Sequence, residues 1–91
     1  MARKILEGVR VVDFTRVVAG PYCTRMLADM GATVVKVDAP FASGGKPVRA
    51  NGSVQNNLGK RSIAIDLKHP DGVEVARRLV ASADVVVENF A

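Results

Sequence analysis

The sequence predicts an α/β fold on an open parallel sheet, and three observations carry that expectation. Four short runs rich in β-branched residues recur along the 91-residue chain. The segments after the first and third of these runs carry apolar residues at helical spacing. A strand–helix–strand unit closes between Arg10 and Val37, a length that suits a right-handed crossover between parallel neighbours.

The first run, Arg10-Val11-Val12-Asp13-Phe14, reads as a strand. Pro21 suits the first position of a helix, and Cys23, Met26, Leu27 and Met30 recur at i, i+3, i+4 and i+7 as its inward face. Gly31 supplies the C-terminal stop. A second strand follows at Thr33–Val37. Phe41 to Asn57 shows no period, contains Gly44-Gly45, Pro47 and Asn51-Gly52, and reads as an exposed loop. Its length is unusual for a compact domain and points toward function. The Asn51-Gly52-Ser53 sequon within it reads as a turn. Ser62–Asp66 alternates as a third strand. Pro70 opens a second helix with Val73, Ala76, Leu79, Val80 and Ala83 inward and a Glu74–Arg78 pair outward. Val85–Glu88 is a continuous apolar run, expected to be a strand buried on both faces. The alternation of elements makes the sheet Rossmann-like.

Composition narrows the function classes. With 48% apolar residues, 4% aromatic and no Trp, the core must be aliphatic. The start of the chain turns charged at Arg3 and Lys4 before any apolar run develops, so no secretory signal is expected, and no stretch reaches the roughly 20 apolar residues of a membrane span. One cysteine cannot form an internal disulfide, which suits a cytoplasmic protein. A single Cys and a single His exclude a metal site of those ligands, so none is expected. The net charge of +4 is localised: Lys46, Arg49, Lys60 and Arg61 lie between Ala39 and Arg61 with no acidic residue among them. One basic loop, without a stripe or interleaved aromatics, disfavours nucleic acid; a phosphorylated small molecule, an acidic partner surface and a merely solvated loop each fit it.

An open parallel sheet binds ligands beyond the carboxyl ends of its strands. Two phosphate motifs fail there. Thr15 to Pro21 holds one glycine where a dinucleotide fingerprint needs three, and Gly59-Lys60 is followed by Arg61 where a P-loop needs Ser or Thr. Asp13 reads as a structural hydrogen-bonding residue, Cys23 as a small buried hydrophobe and His69 as a helix-entry residue. Asp38 stands where a dinucleotide fold keeps its ribose-binding acid, a minor reading without the glycines.

Four segments in register go further: Leu6 to Thr15 running on into Ala19-Gly20-Pro21-Tyr22-Cys23-Thr24, then Gly31 to Asp38, Gly59 to Lys68, and Ala83 to Phe90. In this order they resemble the N-terminal segment of the family III coenzyme A transferases, over nearly the whole chain except Phe41–Asn57. The resemblance implies a truncated N-terminal part of a larger transferase fold, binding a coenzyme A thioester as substrate, with no permanently bound cofactor. By position it implies CoA contacts at Val18 and Ala19, at Ile65, Asp66, Leu67 and Lys68, and at Asn89, Phe90 and Ala91. Lys68 is then a point charge for a phosphate, with Lys60 or Arg61 assisting. The partners implied are an acyl-CoA and a carboxylic acid acceptor, in an interlocked homodimeric parent enzyme. The family's catalytic aspartate attacks the acyl-CoA carbonyl to form an anhydride. It is expected downstream of residue 91, so no catalytic residue is assigned in this chain and the chain alone is expected to be inactive. Two departures stand out: Ala39 occupies the place of an adenine-side arginine, and Val18 that of a glutamine in formyl-CoA transferases, which speaks against oxalate. An α-methylacyl-CoA racemase, sharing this segment, and a non-catalytic CoA- or nucleotide-binding module are the alternatives.

Overall fold

The computed structural model describes residues 4–15, 19–39 and 58–89. The loop expected at 41–57 therefore lies outside the described residues, as do Val18, Phe90 and Ala91. Six elements run in the order β1 (Arg10–Asp13), α1 (Ala19–Asp29), β2 (Thr33–Asp38), β3 (Arg61–Ala64), α2 (Pro70–Ala81) and β4 (Val85–Val87). The four strands form one sheet in the order β3-β2-β1-β4, parallel throughout. The expected α/β class and parallel pairing are thus present, and Arg10 pairs in register with Thr33 and Val11 with Val85.

Alternation along β1 builds two cores from one strand, because successive side chains leave opposite faces of the sheet. Val12 and Phe14 pack with Val37, Ile65 and Ala76, against which Leu79, Val80 and Ala83 of α2 and its C-terminal turn close. Val11 packs on the other face with Val34 and Ala32, joined by Leu27 and Ala28 of α1. Each fully buried aliphatic side chain contributes about 1.5–3 kcal/mol, so both helices are held mainly by this contact. The N-terminal turn is pinned to the end of α1 where the Leu6 amide donates to the Met30 carbonyl at 2.9 Å. Gly31 adopts φ +107°, the left-handed conformation that ends the helix, as expected of that glycine.

Several expectations need correction. Helix α1 begins at Ala19, so Pro21 is its third residue; it is tolerated there because the first four amides have no intrahelical partner. Its inward face is not the Cys23–Met26–Met30 stripe. Cys23 is exposed and Met26 and Met30 remain about 40% exposed, whereas Pro21 and Thr24 are buried and Leu27 half-buried. The helix is rotated because Thr24 carries a hydroxyl that a buried carboxylate on β1 requires, and hydrogen-bond demand there outranks the hydrophobicity of methionine. Strand β4 is not buried on both faces: Val85 and Val86 keep 40% and 45% of their surface. It joins the sheet at an edge, through β1, while α1 lies over β1 and β2 and the α2 face closes on Val12, Val37 and Ile65. Val73 likewise faces outward by a third of its surface.

Helix α2 follows its sequence signals closely. Pro70 is the first helical residue, and the His69 side chain caps the helix by accepting from the Asp71 amide through Nδ1 at 3.1 Å. Because Nδ1 accepts, it carries no proton, and its 3.8 Å approach to the Asp71 carboxylate is not an ion pair. The expected Glu74–Arg78 pair forms at 3.3 Å; both side chains are largely exposed, so it adds only about 0.3–0.5 kcal/mol.

Candidate functional site

In the order β3-β2-β1-β4 the chain starts at β1, moves to one side through β2 and β3, and returns to the other side as β4. The order reverses between β1 and β4, and the carboxyl ends of strands at such a switch point are where doubly wound sheets bind ligands. Phe14 and Thr15 leave β1 there, α1 opens at Ala19, and Glu88 and Asn89 leave β4 beside them. The Phe14 amide donates to the Val87 carbonyl at 2.9 Å and ties the two ends together. At the amino ends of the same strands, Asp84 clasps Arg10, accepting from its amide at 2.8 Å and donating its own amide to the Arg10 carbonyl.

Of the residues that the sequence places at the site, Ala19 opens α1 after β1 and Asn89 follows β4. Ile65 to Lys68 follow β3 at the outer edge of the sheet, two strands and so about 10 Å from β1. Only an extended ligand spans both groups. The Ile65 side chain is buried among Val12, Phe14, Val37 and Ala76, so contact there falls to its backbone. Asp66 folds into its own turn, its carboxylate accepting from the Lys68 amide at 3.0 Å and its carbonyl from the His69 amide at 3.2 Å. Leu67 and Lys68 are exposed on that turn. Asp38, at the end of β2, lies 3.7 Å from the ammonium of Lys36. Among the described residues no group of three His, Cys, Asp or Glu side chains is placed to hold a metal ion.

At the carboxyl end of β1 lies a buried polar cluster whose long-range partners local sequence patterns do not reveal. Asp13, Thr15 and Thr24 are all inaccessible to solvent. The Asp13 Oδ1 accepts from the Thr15 amide at 2.8 Å and from the Thr15 hydroxyl. Its Oδ2 accepts from the Thr24 hydroxyl at 2.5 Å and from Lys60 Nζ at 3.0 Å. Lys60 also donates to the Pro21 carbonyl at 3.0 Å. The Thr24 hydroxyl lies 3.2 Å from the same carbonyl, but its one proton is committed to the shorter contact with the carboxylate. Burial pushes the Asp13 carboxyl up, but the Thr15 and Thr24 hydroxyls, the Thr15 amide and the Lys60 ammonium outweigh it and hold the group below its ordinary value.

Two readings change as a result. Asp13 has the structural hydrogen-bonding role expected of it, with four donors converging on one carboxylate. Lys60 is not a free phosphate-binding charge: its side chain is 1% exposed and its charge is neutralised by Asp13. The sequence signals for this pair are separate, Asp13 at the end of the first strand and Lys60 beside Gly59 in a basic stretch, and nothing local joins them across 47 residues.

The family model for CoA-transferase family III matches residues 6–91. The chain belongs to this family. Family III members similar to it include the succinate–glutarate CoA-transferase of Agrobacterium fabrum, 46% identical over 93% of this chain and 25% of that protein. The succinyl-CoA:glutarate CoA-transferase of Homo sapiens is 43% identical over 96% of this chain and 22% of its own length. The formyl-CoA:oxalate CoA-transferase of Afipia carboxidovorans is 44% identical over 97% of this chain and 23% of its own length. Among solved structures, that of a hypothetical protein (Rv3272) from Mycobacterium tuberculosis superposes with a TM-score of 0.81 at 44% identity, covering 96% of this chain and 25% of that one. A CAIB/BAIF family protein from Brucella suis gives 0.77 at 40% identity, covering 98% and 26%. The chain thus spans about a quarter of the length of the family III relatives it matches.

Proposed function

We propose that this chain is the N-terminal, CoA-binding part of an acyl-CoA:carboxylate CoA-transferase that works in the cytoplasm as an interlocked homodimer. The observation that carries the reading is the match of the family model to residues 6–91. The fold is consistent with it, since Ala19 and Asn89 follow the two strands of the switch point and the exposed turn at Leu67-Lys68 follows β3 at the same end of the parallel sheet. CoA lies across that edge, with Lys68 directed to a phosphate. In the whole enzyme an aspartate outside this chain attacks the acyl-CoA carbonyl, giving an aspartyl anhydride and the CoA thiolate. The thiolate attacks the aspartyl carbonyl, which releases the donor acid and leaves an aspartyl-CoA thioester. The acceptor carboxylate attacks that thioester to form a new anhydride, and the thiolate set free attacks the acceptor carbonyl, giving the new acyl-CoA and the free aspartate. The acceptor class is a short dicarboxylic acid, after the succinate, glutarate, mesaconate and oxalate in the names of relatives at 43–48% identity.

Titration with CoA, followed by backbone amide shifts, tests the reading. Perturbations are expected to cluster at Ala19, Ile65 to Lys68 and Asn89. Perturbations confined to the opposite strand ends, or none at millimolar CoA, would reject it. Replacing Lys68 by Ala is expected to weaken binding, and more so at low salt, because an exposed charge pair is screened within about 10 Å at 0.1 M ionic strength. An equal loss at every salt concentration would exclude a phosphate contact for Lys68.

A further inference from the structure

The buried cluster at the end of β1 joins three separate pieces of chain. Asp13 ends β1, Pro21 and Thr24 belong to the first half of α1, and Lys60 immediately precedes β3. A lysine buried to 1% exposure beside a carboxylate at 0% cannot touch a ligand. It is also a costly way to stabilise a fold, since a buried ion pair loses most of its Coulomb energy to desolvation and apolar residues of similar volume often serve as well. What an apolar residue cannot supply is direction. The Lys60 ammonium donates at 3.0 Å to Asp13 and at 3.0 Å to the Pro21 carbonyl, so it sets the separation between the end of β1 and the opening turn of α1. Those two pieces stand on the β1 side of the switch point, where doubly wound sheets bind ligands. Gly59, at φ +76°, passes close to Ala28, with a hypothetical Cβ only 3.6 Å from it, so Lys60 enters alongside the helix.

We infer that Lys60 is a positioning residue, which fixes the end of β1 against the opening turn of α1 through Asp13 and the Pro21 carbonyl and thereby sets the affinity for CoA at the switch point without touching it. The inference rests on the CoA-binding reading above. Three forms of the full-length protein test it by calorimetric titration with CoA and by urea denaturation. Lys60→Met leaves Asp13 buried and unpaired; it is expected to lose stability and to bind CoA about tenfold more weakly, since small misplacements of a binding wall are felt at that scale. The double variant Asp13→Asn with Lys60→Met contains no lone buried charge, so its urea midpoint is expected to recover most of the loss. Its CoA affinity is expected to stay low, because the bond to the Pro21 carbonyl is still missing. Should Lys60→Met fail to fold, the double variant carries the comparison with wild type alone. Recovery of affinity together with stability would overturn the inference and make Lys60 a stabilising residue only. If wild type itself does not bind CoA, both the CoA reading and this inference fall, an outcome distinct from wild-type binding that the double variant matches.

Discussion

Replacement of Asp13 by Ala is expected to lower stability by about 3–5 kcal/mol, the scale at which one partner of a buried charge pair is lost. Domains of this size hold about 5–15 kcal/mol in total, so the variant should be largely unfolded in modest urea. The physical reason lies in what one carboxylate satisfies: two hydroxyls, an amide and an ammonium, all away from water. Removing it strands the Lys60 charge and leaves the Thr24 hydroxyl only its longer contact with the Pro21 carbonyl. The same group fixes a pH dependence. Its carboxyl titrates lower in the folded chain than the ordinary value of about 3.9, so the stabilisation is complete above that value. It is lost as pH falls through the lowered folded value. The urea midpoint of the wild type should therefore drop with acidification below about pH 4, and Asp13→Asn should flatten that part of the curve. A midpoint for Asp13→Ala within about 1 kcal/mol of wild type would show that the cluster contributes no more than a surface pair.

Gly72→Ala is expected to cost about 2–3 kcal/mol, although it adds a single methyl group to a helix. A Cβ at Gly72 would sit 1.9 Å from the Asp66 carbonyl oxygen and 2.8 Å from its carbon. Those are backbone atoms of the turn that carries Leu67 and Lys68, so no side chain can swing aside to make room. Either the first turn of α2 lifts from the sheet or the 65–69 turn is displaced. The displacement should appear as amide shifts at Lys68 and His69, and in CoA titration as weaker binding. A variant as stable as wild type, with those amides unmoved, would show that the close approach of helix and turn is dispensable. Alanine is ordinarily the better helix former by about 1 kcal/mol, so the sign of the effect itself separates clash from propensity.

The two predictions mark where sequence and structure divide. The class of fold and the position of every described element were legible in local chemistry. β-Branched runs such as Val11-Val12 and Val34-Val35 extend because branching at Cβ suits the pleat, and Pro70 with Ala76, Leu79 and Val80 three and four residues on can face one way only as a helix. Parallel pairing followed from the length of the crossover. The stripe of Cys23, Met26 and Met30 failed as the inward face because periodicity reports a helix but not its rotation, which a buried hydroxyl at Thr24 decided. The expected burial of Val85 and Val86 failed for a related reason, since a continuous apolar run does not state which strand becomes an edge.

The candidate site divides in the same way. Its place at the carboxyl ends of the strands, and Ala19 and Asn89 within it, came from the order of elements and from four segments in register. That Ile65 turns inward, that β4 lies beside β1, and that Lys60 reaches Asp13 came only with the fold. Residues a few positions apart meet wherever the chain forms a helix or strand, so their contacts can be read directly from spacing. Asp13 and Lys60 are 47 residues apart and meet only after three strands and a helix have packed, because their contact depends on strand order and helix rotation, which hydrophobic burial over the whole domain determines.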